Sequence, residues 1–432
     1  MFSQTLTKLL ILILSLLAIF VIFKSLKIYS TITLKYWVYL IFFLTLIFVF
    51  STILNYKKNI INETLIVFFS ILFSLYLIQS FITYKSLNKI WSFNKKGNFK
   101  YDIRAYSEVL KSEDFFPKIS TDYFMENKTE IFPIGTISNK KILACNENGY
   151  YSHYISDRYG FNNPDQNWDK KKIDYLILGD SYMEGDCVYY KDTLMGNLKN
   201  LNIEKNIISL GRGGTGTLFQ YAALKEYSKN KNVINVLLFY YEGNDLGNIK
   251  NEMNFKVLTN YLKDDYSQNL IHKQKLVNKI ILSKVKELDI YGKSNQFYIE
   301  EISRFIKLAG IRDTIRYFIN FFRNKHKNDI KQFSYILGEI NKFCINNNMN
   351  LNIIYIPSYA RYRGNIEKHE DFLKYNEVKD LIKNKNINFL DFAKHLRKQI
   401  QPLENWPFKN HGHLNEKGYR ELSKFVYNSL NE

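Results

Sequence analysis

The chain of 432 residues has few of the residues that shape cross-linked or irregular proteins. It contains three cysteines, six prolines and 19 glycines. Three cysteines are too few for disulfides to hold the fold of a chain of this length together, so a disulfide scaffold is excluded. The low proline and glycine counts exclude a linker-dominated or collagenous protein. Apolar residues make up 46% of the chain and aromatic residues 16%, which excludes intrinsic disorder and predicts a folded core.

Acidic residues are also scarce relative to basic ones. The 60 lysines and arginines outnumber the 41 aspartates and glutamates and give a formal net charge of +19. Such a charge attracts nucleic acid, anionic lipid or acidic polysaccharide. Here the lysines are spread among asparagine, isoleucine, tyrosine and phenylalanine, a pattern that biased genome composition produces. We therefore interpret the excess as a solvated surface and predict no nucleic-acid partner.

Charge is nearly absent from the first 83 residues, which divide into apolar stretches at 9–23, 36–56 and 64–84. A helix rises about 1.5 Å per residue, so about 20 residues cross roughly 30 Å of hydrocarbon, and the second and third stretches are long enough. The first has the length of a signal-peptide core, but no small-residue cleavage site follows it. We predict a membrane region at 1–84 with three spans. The alternative for the first stretch is a hydrophobic helix lying in or under the membrane.

After a connecting region predicted at 85–157, short β-branched runs alternate with helical patterns over residues 158–432. This alternation predicts a parallel sheet with helices on both faces. The predicted strands are 174–178, 206–210, 233–240, 351–356 and 388–390. The predicted helices are 217–229, 330–346, 371–383 and 415–430.

One crossover, at about 246–350, is far longer than the minimum of about a dozen residues for a parallel connection. Its length predicts a helical insertion with basic amphipathic segments. Two interpretations stay open for it: a helical subdomain packed on the sheet edge, or a lid or membrane-facing surface.

Reactive groups in an open parallel sheet collect at the carboxyl ends of the strands. Three predicted strands are followed there by short motifs, and a fourth motif precedes the last predicted helix. The motifs are Gly-Asp-Ser at 179–181, Gly-Arg-Gly-Gly-Thr-Gly at 211–216, Glu-Gly-Asn-Asp at 242–245 and His-Gly-His-Leu-Asn at 411–415. Each motif alone is common in turns. Their order and their strand-end placement together are specific.

In this order the four motifs resemble those of the SGNH hydrolases, a branch of the GDSL esterase and lipase superfamily, over roughly residues 158–430. The resemblance implies a flavodoxin-like three-layer α/β sandwich, here preceded by about three transmembrane helices. It implies Ser181 as the nucleophile and His413 as the general base. It implies an oxyanion hole made by the N–H groups of Ser181 and Gly214 and the amide of Asn244. No cofactor is implied.

The same roles follow from the chemistry of the side chains. A serine hydroxyl is a poor nucleophile until an imidazole within hydrogen-bond reach takes its proton. A tetrahedral intermediate also needs donors aimed at its oxyanion, each contributing roughly 3 to 4 kcal/mol. Ser181 and His413 supply the first requirement, and the proposed oxyanion donors supply the second.

One position departs from the family pattern, which usually has an acidic residue three positions before the histidine. That position is Asn410. Three hypotheses follow: Asn410 orients His413 as a neutral acceptor, a carboxylate from elsewhere such as Asp391 replaces it, or the site is weakened or inactive. The acid matters because it orients the imidazole and stabilises its cation.

The cysteines leave two alternatives open. Cys145 precedes a turn in the connecting region, and Cys187 follows the nucleophile by six residues. They either form a disulfide that pins the connecting region to the catalytic loop, which requires an oxidising compartment, or stay as free thiols. No metal site is predicted, because His411 and His413 are the only close histidine pair and no cysteine or carboxylate stands beside them at ligand spacing.

The sidedness of the chain in the membrane is ambiguous from sequence. Lysines flanking the spans favour a cytoplasmic C-terminal region under the positive-inside rule. The resemblance favours the opposite side, because related membrane-tethered hydrolases act on envelope polysaccharides or lipids. We expect a multi-pass protein of a bacterial inner membrane with a periplasmic catalytic domain.

The expected activity is hydrolysis of O-acyl esters of envelope glycans or lipids through an acyl-serine. Two alternatives remain: an O-acyltransferase that uses the same site, and a non-catalytic glycan-binding or assembly protein that kept the fold.

Overall fold

The computed structural model describes residues 2–29, 34–96, 101–125, 131–202, 204–290, 297–315, 327–363, 374–410 and 412–431. The chain forms two compact units. The first consists of Met1–Ser86 and Ile302–Ile315, and the second of Leu87–Glu301 and Arg316–Glu432. The boundary at Ser86 lies close to the end of the predicted membrane region.

The first unit is built on three apolar helices. Each is long and apolar enough to cross a membrane, and many of their large apolar side chains are exposed. A helix that is apolar all round belongs in a hydrocarbon environment, so this is a membrane protein with three candidate spans. The predicted spans fall on these helices. The helices are α1 (Phe2–Tyr29), α2 (Leu34–Ile53) and α3 (Lys58–Lys96).

The second unit begins with a small three-stranded sheet that the sequence did not predict. Its first two strands pair in parallel, and its second and third pair antiparallel. The residues between the second and third strands, 144–152, contribute to the site described below. The strands are β1 (Phe116–Pro117), β2 (Lys141–Leu143) and β3 (His153–Ile155).

A five-stranded parallel sheet forms the centre of the second unit. The strands are β4 (Lys172–Leu178), β5 (Ile207–Ser209), β6 (Asn232–Tyr241), β7 (Asn350–Ile356) and β8 (Asn388–Asp391). Their order in space is β5-β4-β6-β7-β8, which is the 2-1-3-4-5 order of flavodoxin-like folds. The predicted fold class is confirmed, and each predicted strand end lies within two residues of the observed one.

Helices cover both faces of this sheet because successive strand residues point to opposite sides. In β4, Leu176 and Leu178 join one apolar core, whereas Ile177 joins the other. The helices that begin at residues 217, 245, 274, 327 and 375 contribute to the first core, and those that begin at residues 194, 392 and 416 contribute to the second. The helices of the second unit are α4 (Tyr106–Ser112), α5 (Asp122–Met125), α6 (Ser181–Glu184), α7 (Leu194–Leu201), α8 (Thr217–Tyr227), α9 (Asp245–Met253), α10 (Lys256–Asn260), α11 (Gln274–Glu287), α12 (Phe297–Ile306, which continues into the first unit), α13 (Lys327–Asn346), α14 (Tyr375–Asn384), α15 (Phe392–Arg397) and α16 (Glu416–Asn431).

The long crossover between β6 and β7 divides between the two units. Most of it packs on the sheet as a helical subdomain, since α11 buries Val277, Ile281 and Val285 in the first core. Residues 302–315 instead belong to the first unit. The crossover therefore contributes residues to both units.

A fully buried ion pair ties the end of β6 to the segment after β7. Glu242 directly follows β6, and its side chain and that of Arg361 have no exposed surface. The guanidinium Nε of Arg361 donates to Glu242 Oε1 over 2.9 Å, and the N–H of Ser358 donates to the same oxygen over 2.6 Å. Each of the two residues stabilises the charge of the other, because a buried charge without a counter-charge is strongly unfavourable.

We predict that Arg361→Leu lowers the free energy of unfolding by about 3–5 kcal/mol, because it leaves the Glu242 carboxylate buried without a counter-charge. Urea denaturation of the detergent-solubilised chain, followed through the fluorescence of the buried Trp168 and Trp406, measures this loss. The double variant Arg361→Leu/Glu242→Leu is expected to recover most of it. A single variant as stable as the unaltered chain would contradict the prediction.

Candidate active site

Ser181 lies at the carboxyl edge of the parallel sheet. It follows β4 after Gly179 and Asp180 and begins the short helix α6. Asp180 caps this helix, since its Oδ1 accepts the N–H of Tyr182 over 3.0 Å. Burial raises the pKa of Asp180 to about 6. The strand, turn and helix therefore hold the Ser181 hydroxyl in a fixed, half-buried position.

His413 lies within hydrogen-bond distance of this serine. Its ring Nε2 is 2.8 Å from Ser181 Oγ, although the two residues are 232 positions apart in the chain. His413 stands shortly before α16, whose Tyr419 donates its hydroxyl to the carbonyl of Tyr182 over 2.9 Å. Helix α16 is thereby held against the loop that carries the serine.

The other ring nitrogen of His413 faces a carboxylate. His413 Nδ1 lies 3.1 Å from both Oε1 and Oε2 of Glu147. The backbone N–H of His413 also donates to Glu147 Oε2 over 2.6 Å. Because the same carboxylate meets both the ring and the main chain of His413, it fixes the orientation of the imidazole.

This carboxylate is neither of the two orienting groups that the sequence suggested. Asp391 caps α15 instead, with its Oδ1 accepting an N–H of the first helical turn over 2.8 Å. Asn410 ends a short turn in which its N–H donates to the carbonyl of Pro407 over 2.9 Å. The acceptor facing His413 is Glu147, because residues 144–152 between β2 and β3 reach the carboxyl edge of the parallel sheet.

A disulfide holds the Glu147 segment against the nucleophile loop. Cys145 is bonded to Cys187, with their Cα atoms 4.8 Å apart. The structure thus contains the first of the two alternatives that the sequence left open for these cysteines. Asn148 adds a second tie, since its Nδ2 donates to the carbonyl of Cys187 over 2.8 Å. Glu147 lies between these two ties.

The same contacts bring together three groups of metal-ligating type. Ligand atoms of Glu147, Cys187 and His413 lie within 4.8 Å of one another. The sulfur of Cys187 is in the disulfide and therefore offers no thiolate, which is the form that binds metal. We interpret this group as a carboxylate–imidazole pair packed against a disulfide, with Cys187 Sγ 3.9 Å from His413 Nδ1.

Gly412 is required by the position of Glu147. Its φ of +139° lies outside the range that side chains favour. A Cβ at this position would also lie 2.6 Å from Glu147 Oε2. The hydroxyl of Tyr182 donates to the Gly412 carbonyl over 3.1 Å and so fixes the main chain beside the imidazole.

The three groups expected to bind an oxyanion follow three neighbouring strands. Ser181 follows β4, Gly214 follows β5 and Asn244 follows β6, and β4 pairs with both of the others. Gly214 has a φ of +75°, which favours glycine. Asn244 directly precedes α9, and its side chain lowers the pKa of Asp180, which burial raises. All three therefore lie at the same edge of the sheet.

A buried charge network fixes the turn after β5. Glu184, in α6, accepts the N–H of Gly213 over 2.6 Å, and it pairs with Lys118 over 2.8 Å and with Arg212 over 3.1 Å. Burial opposes its charge, but Lys118 and Arg212 outweigh that effect and hold the pKa of Glu184 at about 2. The carboxylate thus links α6, which begins at Ser181, to the turn after β5 and to the segment after β1.

Negative charge surrounds the imidazole. Burial alone would lower the pKa of His413, but the hydrogen bond with Glu147 and the charges of Asp186, Glu147 and Asp180 outweigh it, so the net shift is upward. Asp186 Oδ2 lies 3.9 Å from His413 Nε2. These carboxylates favour the imidazolium, the form that His413 takes when it accepts a proton.

Glu147 is the site residue that sequence reasoning missed. It lies outside residues 158–430, where the resemblance applies, and a lone glutamate in a polar turn carries no signal of its own. The usable signal was the hypothesised Cys145–Cys187 disulfide, because it places the residues after Cys145 beside the loop that begins at Ser181.

The strand order is that of flavodoxin-like α/β folds, and Ser181 meets His413 at the carboxyl edge of the sheet. No family model matches this chain, and no curated protein matches it. Similar solved structures include a lipase/acylhydrolase from Enterococcus faecalis, a member of the lipolytic protein G-D-S-L family from Veillonella parvula DSM 2008, and an acetyl xylan esterase.

Each of these three is 12% identical to this chain and covers 60% of it. The match spans 95%, 99% and 100% of their own lengths, with TM-scores of 0.32, 0.29 and 0.34. A likeness this low says nothing about activity, which has to come from the contacts of this chain.

We predict that Glu147→Gln lowers the pKa of His413, because burial still opposes the imidazolium while one charge and one hydrogen bond to it are lost. NMR of the full-length chain, labelled with ¹³C at histidine and titrated from about pH 5 to 9, measures the pKa of His413. The variant His413→Gln identifies the signal of this residue. Asn410→Asp serves as the matched control, and its effect on the His413 pKa is expected to be smaller. An unchanged pKa in Glu147→Gln would show that the carboxylate does not contact the ring in solution.

Proposed function

We propose that this chain is a membrane-anchored serine ester hydrolase of SGNH type that works through an acyl-serine at Ser181. The observation that carries the proposal is the continuous set of contacts from Ser181 Oγ to His413 Nε2 and from His413 Nδ1 to Glu147. These are the groups of a nucleophile, a general base and an orienting acid, in contact in that order.

In the proposed reaction, Ser181 Oγ attacks the carbonyl carbon of an ester while its proton passes to His413 Nε2. The tetrahedral intermediate collapses, the bond from carbon to the alcohol oxygen breaks, and the alcohol takes the proton from His413. Water then attacks the acyl-serine by the same route and releases the carboxylic acid. Glu147 keeps the proton of the neutral imidazole on Nδ1, so Nε2 is free to accept.

The oxyanion of the intermediate would be met by the N–H groups of Ser181 and Gly214 and by the amide of Asn244. Removing one such donor typically costs about 3 to 4 kcal/mol of transition-state stabilisation. The N–H of Gly213 donates a hydrogen bond to the buried Glu184, which holds the turn that contains Gly214. This preorganisation of the turn supports the proposed oxyanion role.

The contact between Glu147 and His413 bears on the two alternatives. The non-catalytic hypothesis depended on a missing triad carboxylate, and a carboxylate lies 3.1 Å from the ring. An O-acyltransferase would use the same groups and differ only in the final acceptor. We propose water as the acceptor because hydrolysis requires no bound alcohol to receive the acyl group.

We also propose that the site works outside the cytoplasm, on acyl esters of envelope glycans or lipids. The Cys145–Cys187 disulfide supports this location, because structural disulfides persist in oxidising compartments. The lysines beside the spans argue for the opposite side, but long domains translocate largely regardless of flanking charge. Anchoring by three candidate spans supports a substrate at or near the membrane.

We predict that a fluorophosphonate probe labels the full-length chain in detergent and that Ser181→Ala abolishes the label, because only an activated serine reacts with it.

On p-nitrophenyl acetate, with no added alcohol, Glu147→Gln is expected to lower kcat by about 10³- to 10⁴-fold through loss of the correct imidazole tautomer.

Asn410→Asp is the matched control in that assay and is expected to stay within a few-fold of the unaltered chain, since Glu147 already faces Nδ1. The pH profile separates the roles further. Because the pKa of His413 is raised, the neutral base is lost as pH falls through that raised value, and Glu147→Gln should move this acid limb to lower pH. A folded, disulfide-bonded chain that neither labels nor hydrolyses would refute the proposal.

We predict that replacing the disulfide, in Cys145→Ser/Cys187→Ser, lowers kcat by about 10- to 100-fold, because small displacements of a catalytic group cost rates of this order. The hydrogen bond from Asn148 to Cys187 remains, so the loss should be smaller than in Glu147→Gln. Steady-state kinetics with and without reductant on the unaltered chain gives the same comparison.

Two controls define this effect. Cys344 is the free, buried cysteine among the described residues, and Cys344→Ala should leave the response to reductant unchanged. In the Glu147→Gln background, loss of the disulfide should reduce kcat little further, since both changes act through one carboxylate. Additive losses would show that the disulfide does not act through Glu147.

A further inference from the structure

Residues 302–315 lie in the crossover of the α/β fold but pack against the third membrane helix. They comprise the end of α12, a turn at Leu308 with a φ of +50°, and helical residues 309–315. They belong to the same compact unit as α3. The chain therefore passes from the second unit to the first and back within one crossover.

The contacts with α3 are specific and include polar groups. The hydroxyl of Tyr76 donates a hydrogen bond to the carbonyl of Ile306 over 2.9 Å. The ring centroids of Tyr76 and Phe305 are 5.6 Å apart. The N–H of Ile311 donates to Gln79 Oε1 over 3.3 Å. Gln79 is only 2% exposed, so this segment helps to satisfy and cover a polar side chain that would be unfavourable against lipid.

The segment approaches α3 closely because position 310 is glycine. A Cβ on Gly310 would lie 2.6 Å from Ile82 Cγ2, and the neighbouring Ala309 is 3% exposed. Small residues at a helix contact are typical of packing between membrane helices, since they let the backbones approach.

These contacts fall near one end of the candidate span. The apolar stretch of α3 is Lys58–Lys85, and the contact residues run from Tyr76 to Ile82. At about 1.5 Å per residue they lie roughly 5 to 14 Å inside that end. An interfacial helix buries its apolar face about 5 to 10 Å into the boundary between headgroups and acyl chains, so the two ranges of depth overlap.

The surface that faces away from α3 is apolar on one side and charged on the other. Ile302, Ile306 and Ile315 are 59%, 62% and 52% exposed. Arg304 lies two residues from both Ile302 and Ile306, and so projects to the far side of the helix. It pairs with Asp313 over 3.2 Å. This is the composition of a helix lying at a membrane surface.

We propose that residues 302–315 form a membrane-interfacial segment, docked on α3, whose exposed isoleucines contact lipid acyl chains while its charged side lies among the headgroups. Lipid is the occupant that the contacts favour, because the segment packs on a candidate membrane span whose own Phe73 and Phe81 are 65% and 58% exposed. The inference is independent of the proposed esterase activity.

The test places nitroxide labels on the full-length chain in nanodiscs of phosphatidylcholine and phosphatidylglycerol. The variants are Ile302→Cys, Ile306→Cys and, as the matched control on the same segment, Lys307→Cys, each with Cys344→Ala and with the disulfide intact. We expect labels at 302 and 306 to be more accessible to oxygen than to a water-soluble nickel chelate, and the label at 307 to show the reverse preference.

Two results would overturn the proposal. Labels at 302 and 306 that are as accessible to nickel as the label at 307 would place the segment in water. Labels protected from both reagents would show that protein, such as a second copy of the chain, covers the isoleucines. If a cysteine variant misfolds, Ile306→Trp with lipids brominated on the acyl chain gives an independent measurement: strong quenching supports lipid contact, and no quenching opposes it.

Discussion

The site depends on one imidazole ring that must hold two partners at once. His413 can accept a proton at Nε2 from Ser181 only if its own proton stays on Nδ1, and a carboxylate facing Nδ1 enforces that arrangement. The partners come from distant parts of the chain, with Glu147 and His413 separated by 266 positions. The disulfide, the buried Glu184 network and the packing of α16 all limit the movement of these three segments relative to one another.

The architecture of the second unit was predictable because its physical signals are local and periodic. Each central strand is a short apolar, β-branched run, since both faces of a parallel sheet are covered. Glycine and polar residues mark where these runs end, so the edge carrying Ser181, Gly214 and Asn244 could be located. The small sheet β1–β3 was not predicted, because its strands have two or three residues and stability there comes from tertiary packing.

The orienting acid was not predictable from motif spacing, because spacing along the chain reports only on groups that the local backbone brings together. Asn410 occupies the position where the family pattern has an acid, whereas the carboxylate that contacts His413 reaches the ring through a tertiary contact. The crossover shows the same limit. Its helical character was visible in the sequence, but the docking of Gly310 against Ile82 depends on two surfaces that no periodicity connects.

The geometry at Gly412 couples two positions that a mutation could otherwise change separately. A side chain at position 412 would displace the carboxylate of Glu147. The residue that favours glycine at 412 therefore lies 265 positions earlier in the chain. The main chain at position 412 also has a φ of +139°, which disfavours a side chain there whatever residue stands at position 147.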